Sequence, residues 1–90
     1  MDERSFRLAN AIVGNAETTA ALELTVNGPT LRFNADAVIA LAGARMRATL
    51  DGDPIDHHQP VVVRAGQVLA IGAIEGAGQR CYLALRGGFA

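Results

Sequence analysis

Residues 80–88 read RCYLALRGG, and this stretch says most about the fold. Every second residue from Cys81 to Leu85 is apolar, while the alternate positions from Arg80 to Arg86 mix charged, aromatic and small side chains. Because successive side chains of a strand point to opposite faces of a sheet, the pattern predicts a strand with one dry face and one mixed face. The glycine pair at its end allows a sharp turn or the close approach of a ligand.

Several other parts of the chain carry the same period of two. Short apolar or alternating runs predict strands, and turn residues separate them. These predicted strands cover residues 22–26, 30–33, 37–42, 45–50, 53–55, 61–63 and 67–74. The run 37–42 is apolar on both parities, which predicts a central strand covered on both faces. Asp51-Gly52 predicts a two-residue hairpin, and Gly72 suits a β-bulge.

The N-terminal segment has the period of a helix instead. Ser5 is a residue type that caps helices, and Phe6, Ala9 and Val13 are spaced for one apolar face. The fold is therefore expected to be mostly β, with a short N-terminal helix followed by about seven short strands in a small barrel or sandwich. At 90 residues, the chain fits a single small domain over 1–90.

The composition argues against several classes of function. A net charge of −1 with no lysine gives no basic surface for nucleic acid or an anionic membrane. The N-terminus lacks a signal-peptide pattern, and no apolar run reaches the ~20 residues of a membrane span, so a cytoplasmic protein is expected. The lysine-free, Ala- and Gly-rich composition favours a GC-rich bacterial genome.

The single cysteine, Cys81, is expected to be a buried small hydrophobe.

The most polar cluster is His57-His58 with Asp51, Asp53 and Asp56. Imidazole and carboxylate groups are ordinary metal ligands, so a metal site is one interpretation. Adjacent histidines on extended backbone point apart, however, and the chain has no further histidine. A solvated loop is therefore favoured, with His58 as a polar contact or proton carrier if it has a role. No metal site is predicted.

Two further patterns are weighed in the same way. Arg45 and Arg47 share the polar side of one predicted strand, where a solvated face is favoured over a carboxylate site. Gly76-x-Gly78 is favoured as a hairpin tip over a phosphate loop, because no helix follows it.

The end of the opening stretch, Arg86-Gly87-Gly88, supports two interpretations about equally. One is a strand end with a turn. The other is a substrate-binding site, in which Arg86 supplies a fixed cation and the Gly87 and Gly88 backbone offers N–H groups to an anionic or enolate-like oxygen. Arg86, Gly87 and Gly88 are the predicted substrate-binding residues, and no catalytic residue is predicted.

Seven blocks of the sequence resemble the biotin-dependent carboxyltransferase domain family. They are FxxANxxVGN at 6–15, ALE at 21–23, GPTLRF at 28–33, VIALAGA at 38–44, TLDG at 49–52, AGQVL at 65–69 and YLALRGG at 82–88. The family includes urea carboxylase (urea amidolyase), the C subunit of 5-oxoprolinase (also called allophanate hydrolase subunit 2) and the KipA-type antagonists of a kinase inhibitor. The chain is similar to the N-terminal third of these proteins.

The resemblance implies a cyclophilin-like fold and a KipI-like partner, also called subunit 1 or B. It implies transfer of a carboxyl group from carboxybiotin to urea, or ATP-dependent ring opening of 5-oxoproline. It places only Arg86-Gly87-Gly88 near the family's active-site cleft. No cofactor is expected on this segment, whereas biotin or ATP is expected in the full complex.

Three hypotheses remain open at this point. The chain is a segment of such an enzyme, a non-catalytic or regulatory binding module that pairs with a KipI-like protein, or a folded remnant. The family is enzymatic, but this chain is not expected to be catalytic by itself. A shortened barrel would leave unpaired strand edges, which predicts self-association, with 80–86 and 22–26 as the expected edges.

Overall fold

The computed structural model describes residues 2–16, 19–25, 28–74 and 80–87, and within them one helix precedes eight strands. In chain order these are α1 (Glu3–Ile12), β1 (Leu22–Leu24), β2 (Thr30–Arg32), β3 (Ala37–Gly43), β4 (Met46–Leu50), β5 (Asp53–Pro54), β6 (Val61–Val63), β7 (Val68–Ile74) and β8 (Cys81–Leu85). The predicted mostly β class with an N-terminal helix is confirmed. The predicted strand bounds are within one or two residues of these, and the predicted tip at Gly76-x-Gly78 lies outside the described residues.

The strands form two antiparallel sheets of four. Sheet 1 has the order β1-β8-β3-β6, and sheet 2 has the order β2-β7-β4-β5. The predicted hairpin joins β4 to β5, with both turn residues at positive φ, Asp51 at 49° and Gly52 at 87°. This geometry matches the twist of the flanking strands. The bulge predicted at Gly72 is also present, because β7 has one more residue than β4 between their paired positions.

The helix begins one turn earlier than predicted. Asp2, not Ser5, is its N-cap, and the Asp2 carboxylate accepts hydrogen bonds from the Ser5 backbone N–H at 3.1 Å and the Ser5 hydroxyl at 2.6 Å. Either residue type can cap a helix. Asp2 takes the position because its backbone N–H also donates to the Tyr82 hydroxyl at 2.9 Å, which ties the start of the helix to β8.

The main core lies between the two sheets. It is built by inward residues of β1, β3, β4, β6, β7 and β8, namely Leu24, Ile39, Leu41, Met46, Ala48, Leu50, Val63, Leu69, Ile71, Cys81 and Leu83. Cys81 is fully buried, as predicted, and burial raises the pKa of its thiol to about 11. The thiol therefore stays protonated and behaves as a small apolar group.

The outer face of sheet 1 is also covered. Helix α1 packs Ala9 and Val13 against Ala40, Tyr82 and Ala84, and all five are buried. The prediction of a mixed face on the last strand is therefore wrong, because the helix covers that face. The β3 prediction, a strand apolar on both faces, is confirmed.

Tyr82 is accommodated in this layer by polar and aromatic partners. Its hydroxyl donates to Glu23 at 2.8 Å, and its ring meets Phe6 edge-on at a centroid distance of 5.9 Å. Glu23 also forms an ion pair with Arg80 at 3.5 Å. A buried tyrosine hydroxyl needs such partners, so these contacts explain how Tyr82 occupies the helix interface.

Strand order corrects one expectation about the sheet edges. The segment 80–86 is not an edge, because β8 pairs with β1 on one side and with β3 on the other. Strand β1 is an edge, as predicted from 22–26. The described part of sheet 1 has its other edge at β6, where Val62 is 57% exposed.

Candidate functional site

The predicted site at the end of β8 lies against the end of the helix. We call this region the Asn15–Arg86 corner and define it by Asn10, Val13, Asn15, Arg86 and Gly87. The Asn15 side chain donates to the Leu85 carbonyl oxygen at 2.7 Å and accepts the Gly87 backbone N–H at 2.8 Å. It therefore pairs with the backbone of the strand end as another strand would.

The side chain of Asn10 is hydrogen-bonded to that of Asn15. Asn10 is fully buried, its Oδ1 accepts from Asn15 Nδ2 at 3.2 Å, and its Nδ2 donates to the Thr19 carbonyl oxygen at 2.7 Å. A buried amide is costly unless it is hydrogen-bonded. These bonds explain why the block FxxANxxVGN carries asparagines at both positions.

Arg86 closes the corner from the strand side. Its Nε donates to the Val13 carbonyl oxygen at 2.9 Å, at the C-terminal end of α1. The last turn of α1 contains no basic residue, so Arg86 supplies the cation that complements the negative end of the helix dipole. This contact is a structural role that the sequence pattern did not reveal.

The three predicted substrate-binding residues have different positions. Arg86 and Gly87 are exposed, but the Gly87 N–H is already donated to Asn15. Gly88 lies outside the described residues. The assignment of substrate binding to Arg86, Gly87 and Gly88 stays a prediction, with the guanidinium as the group best placed to act.

Replacing Asn15 tests the structural role of the corner. Asn15→Ala removes the side-chain oxygen and the Nδ2 group, so the Gly87 N–H, the Leu85 carbonyl and the Asn10 Oδ1 each lose this partner. We expect the free energy of unfolding to fall by about 1–3 kcal/mol. Urea denaturation measures this. Asn34→Ala, at an exposed bend, is the control and should change stability by less than about 0.5 kcal/mol. Equal effects of the two changes would contradict the role given to Asn15.

A second polar region lies at the opposite end of β3 and β8. It is a groove of about 490 Å³, which we call the histidine groove, lined by Gly43, Arg45, Asp56, His57, His58 and Gln59. A shallower groove of about 390 Å³ adjoins it along β4, where Arg45 and Arg47 line one wall. The two arginines are exposed, as predicted.

The histidines hold the connection between β3 and β4. His57 Nε2 accepts the Met46 backbone N–H at 3.1 Å, and His58 Nε2 accepts the Gly43 backbone N–H at 3.2 Å. The prediction that the rings point apart on extended backbone is wrong. His58 has φ of 62°, and the ring centroids are 5.9 Å apart. The sequence predicted a solvated loop, but this loop is fastened to the sheet.

The surroundings of His57 also shift the pKa of its imidazole. Burial lowers the pKa of its imidazole below the ordinary 6.5, and the nearby His58 and Arg45 lower the pKa further. The neutral ring is the form that accepts the Met46 N–H. The folded state therefore binds a proton less readily at His57 than the unfolded chain does.

Acidification should therefore destabilise the protein through His57. Because the folded pKa is depressed, the stabilisation is fully present above about pH 6.5 and is lost as the pH falls through the lower folded value. Urea midpoints at about pH 7.5 and about pH 5.5 measure the effect. His57→Gln keeps an acceptor for Met46 without titrating, so it should show a smaller pH dependence. An unchanged pH dependence in His57→Gln would exclude this origin. Asp2 and Asp36 also have lowered pKa values, but they titrate below 3.8, outside this window.

The described residues do not assemble a metal site. Within them, no group of three or more His, Cys, Asp or Glu side chains is arranged to hold a metal ion. No helix in this part of the chain is long and apolar enough to cross a membrane.

Comparison with known families places these regions in context. The family model described as "Carboxyltransferase domain, subdomain A and B" matches residues 1–90. This chain belongs to that carboxyltransferase family. The resemblance carried by the seven sequence blocks is thereby confirmed.

Members of the carboxyltransferase family share both sequence and fold with the chain. It is 49% identical to urea amidolyase of Saccharomyces cerevisiae over 98% of this chain and 5% of that protein. It is 36% identical to the 5-oxoprolinase C subunit of Haemophilus influenzae over 99% of this chain and 28% of that protein. The crystal structure of K. lactis urea amidolyase superposes with a TM-score of 0.93 at 44% identity, over 98% of this chain and 5% of that chain.

These carboxyltransferase relatives establish the family of the chain but not its branch or substrate. The chain is a segment similar to urea carboxylase, urea amidolyase and the C subunit of 5-oxoprolinase. It spans a small part of each relative's length. The relatives come from fungi and bacteria, so a bacterial source stays a prediction.

Proposed function

We propose that this chain is the N-terminal segment of a carboxyltransferase that acts in a urea-carboxylase-type reaction. The observation that carries the proposal is the difference in identity between the two branches, 49% to urea amidolyase against 36% to the 5-oxoprolinase C subunit. Both alignments cover almost the whole chain, so the comparison uses the same residues. In the complete protein, biotin supplies the carboxyl group that is transferred to urea.

Two positions that could bind ATP or biotin already have partners within the chain. The start of α1, where a phosphate would bind, already holds the Asp2 carboxylate and the acidic Glu3. The Gly87 N–H, a natural donor to a ureido oxygen, is engaged by Asn15. The proposal therefore assigns neither group to this segment and expects biotin or ATP in the full complex.

The role proposed for this segment is to place Arg86 toward the substrate. Strand β8 and the helix end fix Arg86 through Nε, which leaves the remaining guanidinium N–H groups to donate to a carbonyl or carboxylate oxygen. A guanidinium with one nitrogen anchored is pre-organised, so less entropy is lost when the ligand binds.

Arg86→Lys separates this role from the structural one. Lysine keeps a cation near the Val13 carbonyl but removes the guanidinium fork. In the protein that carries this chain, we expect kcat/KM for urea to fall about tenfold or more while stability changes little. Arg64→Lys, at an exposed ion pair with Asp36, is the matched control and should leave kcat/KM unchanged. Unchanged turnover by Arg86→Lys would remove Arg86 from the site.

A KipI-like subunit is the proposed partner. The second candidate function, a non-catalytic or regulatory module that binds such a subunit, is favoured by the similarity to a protein that is itself named as a subunit, that of 5-oxoprolinase. Both candidates require the partner, so its presence alone does not separate them.

One assay distinguishes the candidates. The protein that carries this chain is produced from its complete gene, together with any subunit encoded beside it, and ATP hydrolysis is followed with bicarbonate and either urea or 5-oxoproline. We expect hydrolysis that depends on urea and stops when avidin is added. Dependence on 5-oxoproline without an effect of avidin would replace the proposal with the other branch. A stable complex with a KipI-like subunit but no activity on either substrate would favour the binding module.

A further inference from the structure

We propose that the histidine groove is a binding site for a small carboxylate. The groove lies beside Gly43, which pairs with Cys81 at the start of β8, whereas Arg86 follows the far end of β8. It is therefore separate from the Asn15–Arg86 corner. Its volume of about 490 Å³ lies within the ~300–1,000 Å³ of small-molecule sites, and acetate fills only a small part of it.

The first argument concerns the protons on the two imidazoles. A backbone N–H is always a donor, so the Nε2 atoms that face Gly43 and Met46 must carry lone pairs. A neutral imidazole with an accepting Nε2 carries its proton on Nδ1. His57 and His58 are therefore both fixed as the Nδ1–H tautomer. The His57 ring is also hydrogen-bonded to the Ala44 backbone, so among the described residues His58 is the ring lining this groove whose N–H is left for a ligand.

The second argument concerns Arg45. Three other arginines are in ion pairs with acidic residues, namely Arg7, Arg64 and Arg80. Arg45 is exposed, lines the groove, and forms no ion pair or side-chain hydrogen bond with any residue that the structure describes. Its guanidinium presents parallel N–H groups whose spacing matches the two oxygens of a carboxylate.

The acidic residue in the groove limits the charge of the ligand. Asp56 Oδ2 accepts a hydrogen bond from Gln59 Nε2 at 3.3 Å, so the carboxylate is turned toward its own loop. Its negative charge still lies in the same groove as the Arg45 cation. The groove therefore suits a monoanion such as a carboxylate, whereas a neutral amide of the same shape forms no ion pair with Arg45 and binds more weakly.

The experiment is a titration of the 90-residue chain with sodium acetate, followed by the backbone amide signals in ¹H–¹⁵N NMR spectra. Sodium chloride keeps the ionic strength constant, and acetamide is the uncharged analogue. We expect saturable shifts of the Gly43 and Met46 amides with a dissociation constant of about 1–10 mM, the range for a ligand of four heavy atoms. Acetamide should produce no saturable shift.

Two variants assign the effect to the groove. Arg45→Gln is expected to weaken acetate binding about tenfold or more, because it removes the charged fork from an exposed position and leaves the core intact. Arg47→Gln changes the next arginine on the same side of β4, also exposed but not lining this groove, and should bind acetate like the unmodified chain.

Three results would overturn the proposal. They are amide shifts that increase linearly with acetate, equal shifts with acetamide, and equal weakening by Arg47→Gln and Arg45→Gln. The dispersion of the NMR spectrum shows for each variant whether the fold is retained. Loss of carboxylate binding here would leave the urea-carboxylase assignment untouched, because that assignment rests on the difference in sequence identity and is tested by substrate-dependent ATP hydrolysis.

Discussion

Gly43→Ala is expected to lower the free energy of unfolding by about 4 kcal/mol. Gly43 has φ of +111°, which side chains with a Cβ rarely adopt, and this strain costs about 1–3 kcal/mol. An added Cβ would lie 2.5 Å from the Arg80 carbonyl oxygen and 3.3 Å from Cys81 Cα. Relieving that contact must shift β8 away from β3, which costs a further ~1–3 kcal/mol.

Gly66→Ala is a control that introduces backbone strain without a steric clash. Gly66 also has positive φ, at +90°, but a Cβ there has no atom within 4 Å. We expect this control to lower the free energy of unfolding by about 1–2 kcal/mol, the cost of backbone strain alone. Urea denaturation of both variants measures the difference, and an added osmolyte such as trimethylamine N-oxide brings a largely unfolded variant back into range. If Gly43→Ala costs no more than Gly66→Ala, the close approach of β8 to Gly43 is not what requires a glycine.

Leu83→Ala is expected to lower the free energy of unfolding by about 2–5 kcal/mol, the second largest effect. Leu83 is fully buried at the centre of sheet 1, pairs with Leu22 on β1 and Leu41 on β3, and faces sheet 2. Truncation leaves a cavity that central strands cannot collapse without losing their register. Urea midpoints again give the change.

Leu8→Ala is the matched control, since it removes the same atoms from α1, where Leu8 is 41% exposed. Alanine also favours the helix, so we expect a change of less than about 0.5 kcal/mol. Similar losses for the two variants would mean that the core does not lie between the sheets.

The period of two predicted most of the strands because the core between the sheets is built by alternate residues. It predicted that Cys81 and Leu83 of β8 face the core, and it predicted the doubly apolar β3. It could not predict that Tyr82 is buried, because the helix that covers it lies at the other end of the chain. The position of β8 between β1 and β3 likewise depends on pairing between distant segments, which local pattern does not encode.

The candidate sites were predicted less completely than the fold. The sequence located Arg86-Gly87 but not its partners, since Asn15 lies about 70 positions earlier. The histidine pair was interpreted as solvated because extended backbone was assumed. In the structure His58 has positive φ, and both rings accept backbone N–H groups that flank the β3–β4 connection. A tight Gly-Ala-Arg connection, whose backbone N–H groups need acceptors, is the signal that could have revealed this arrangement.

The place of β8 also sets the order of events in folding. Strands β4, β5, β6 and β7 all lie in the sequence between β3 and β8. On the ribosome, β3 therefore emerges long before the strand that protects one of its edges, and sheet 1 closes only after β8 has been made. Such non-local pairing is slow, and apolar strands are exposed to aggregation until they are paired. We therefore expect newly made chains to be more prone to aggregation than the finished fold.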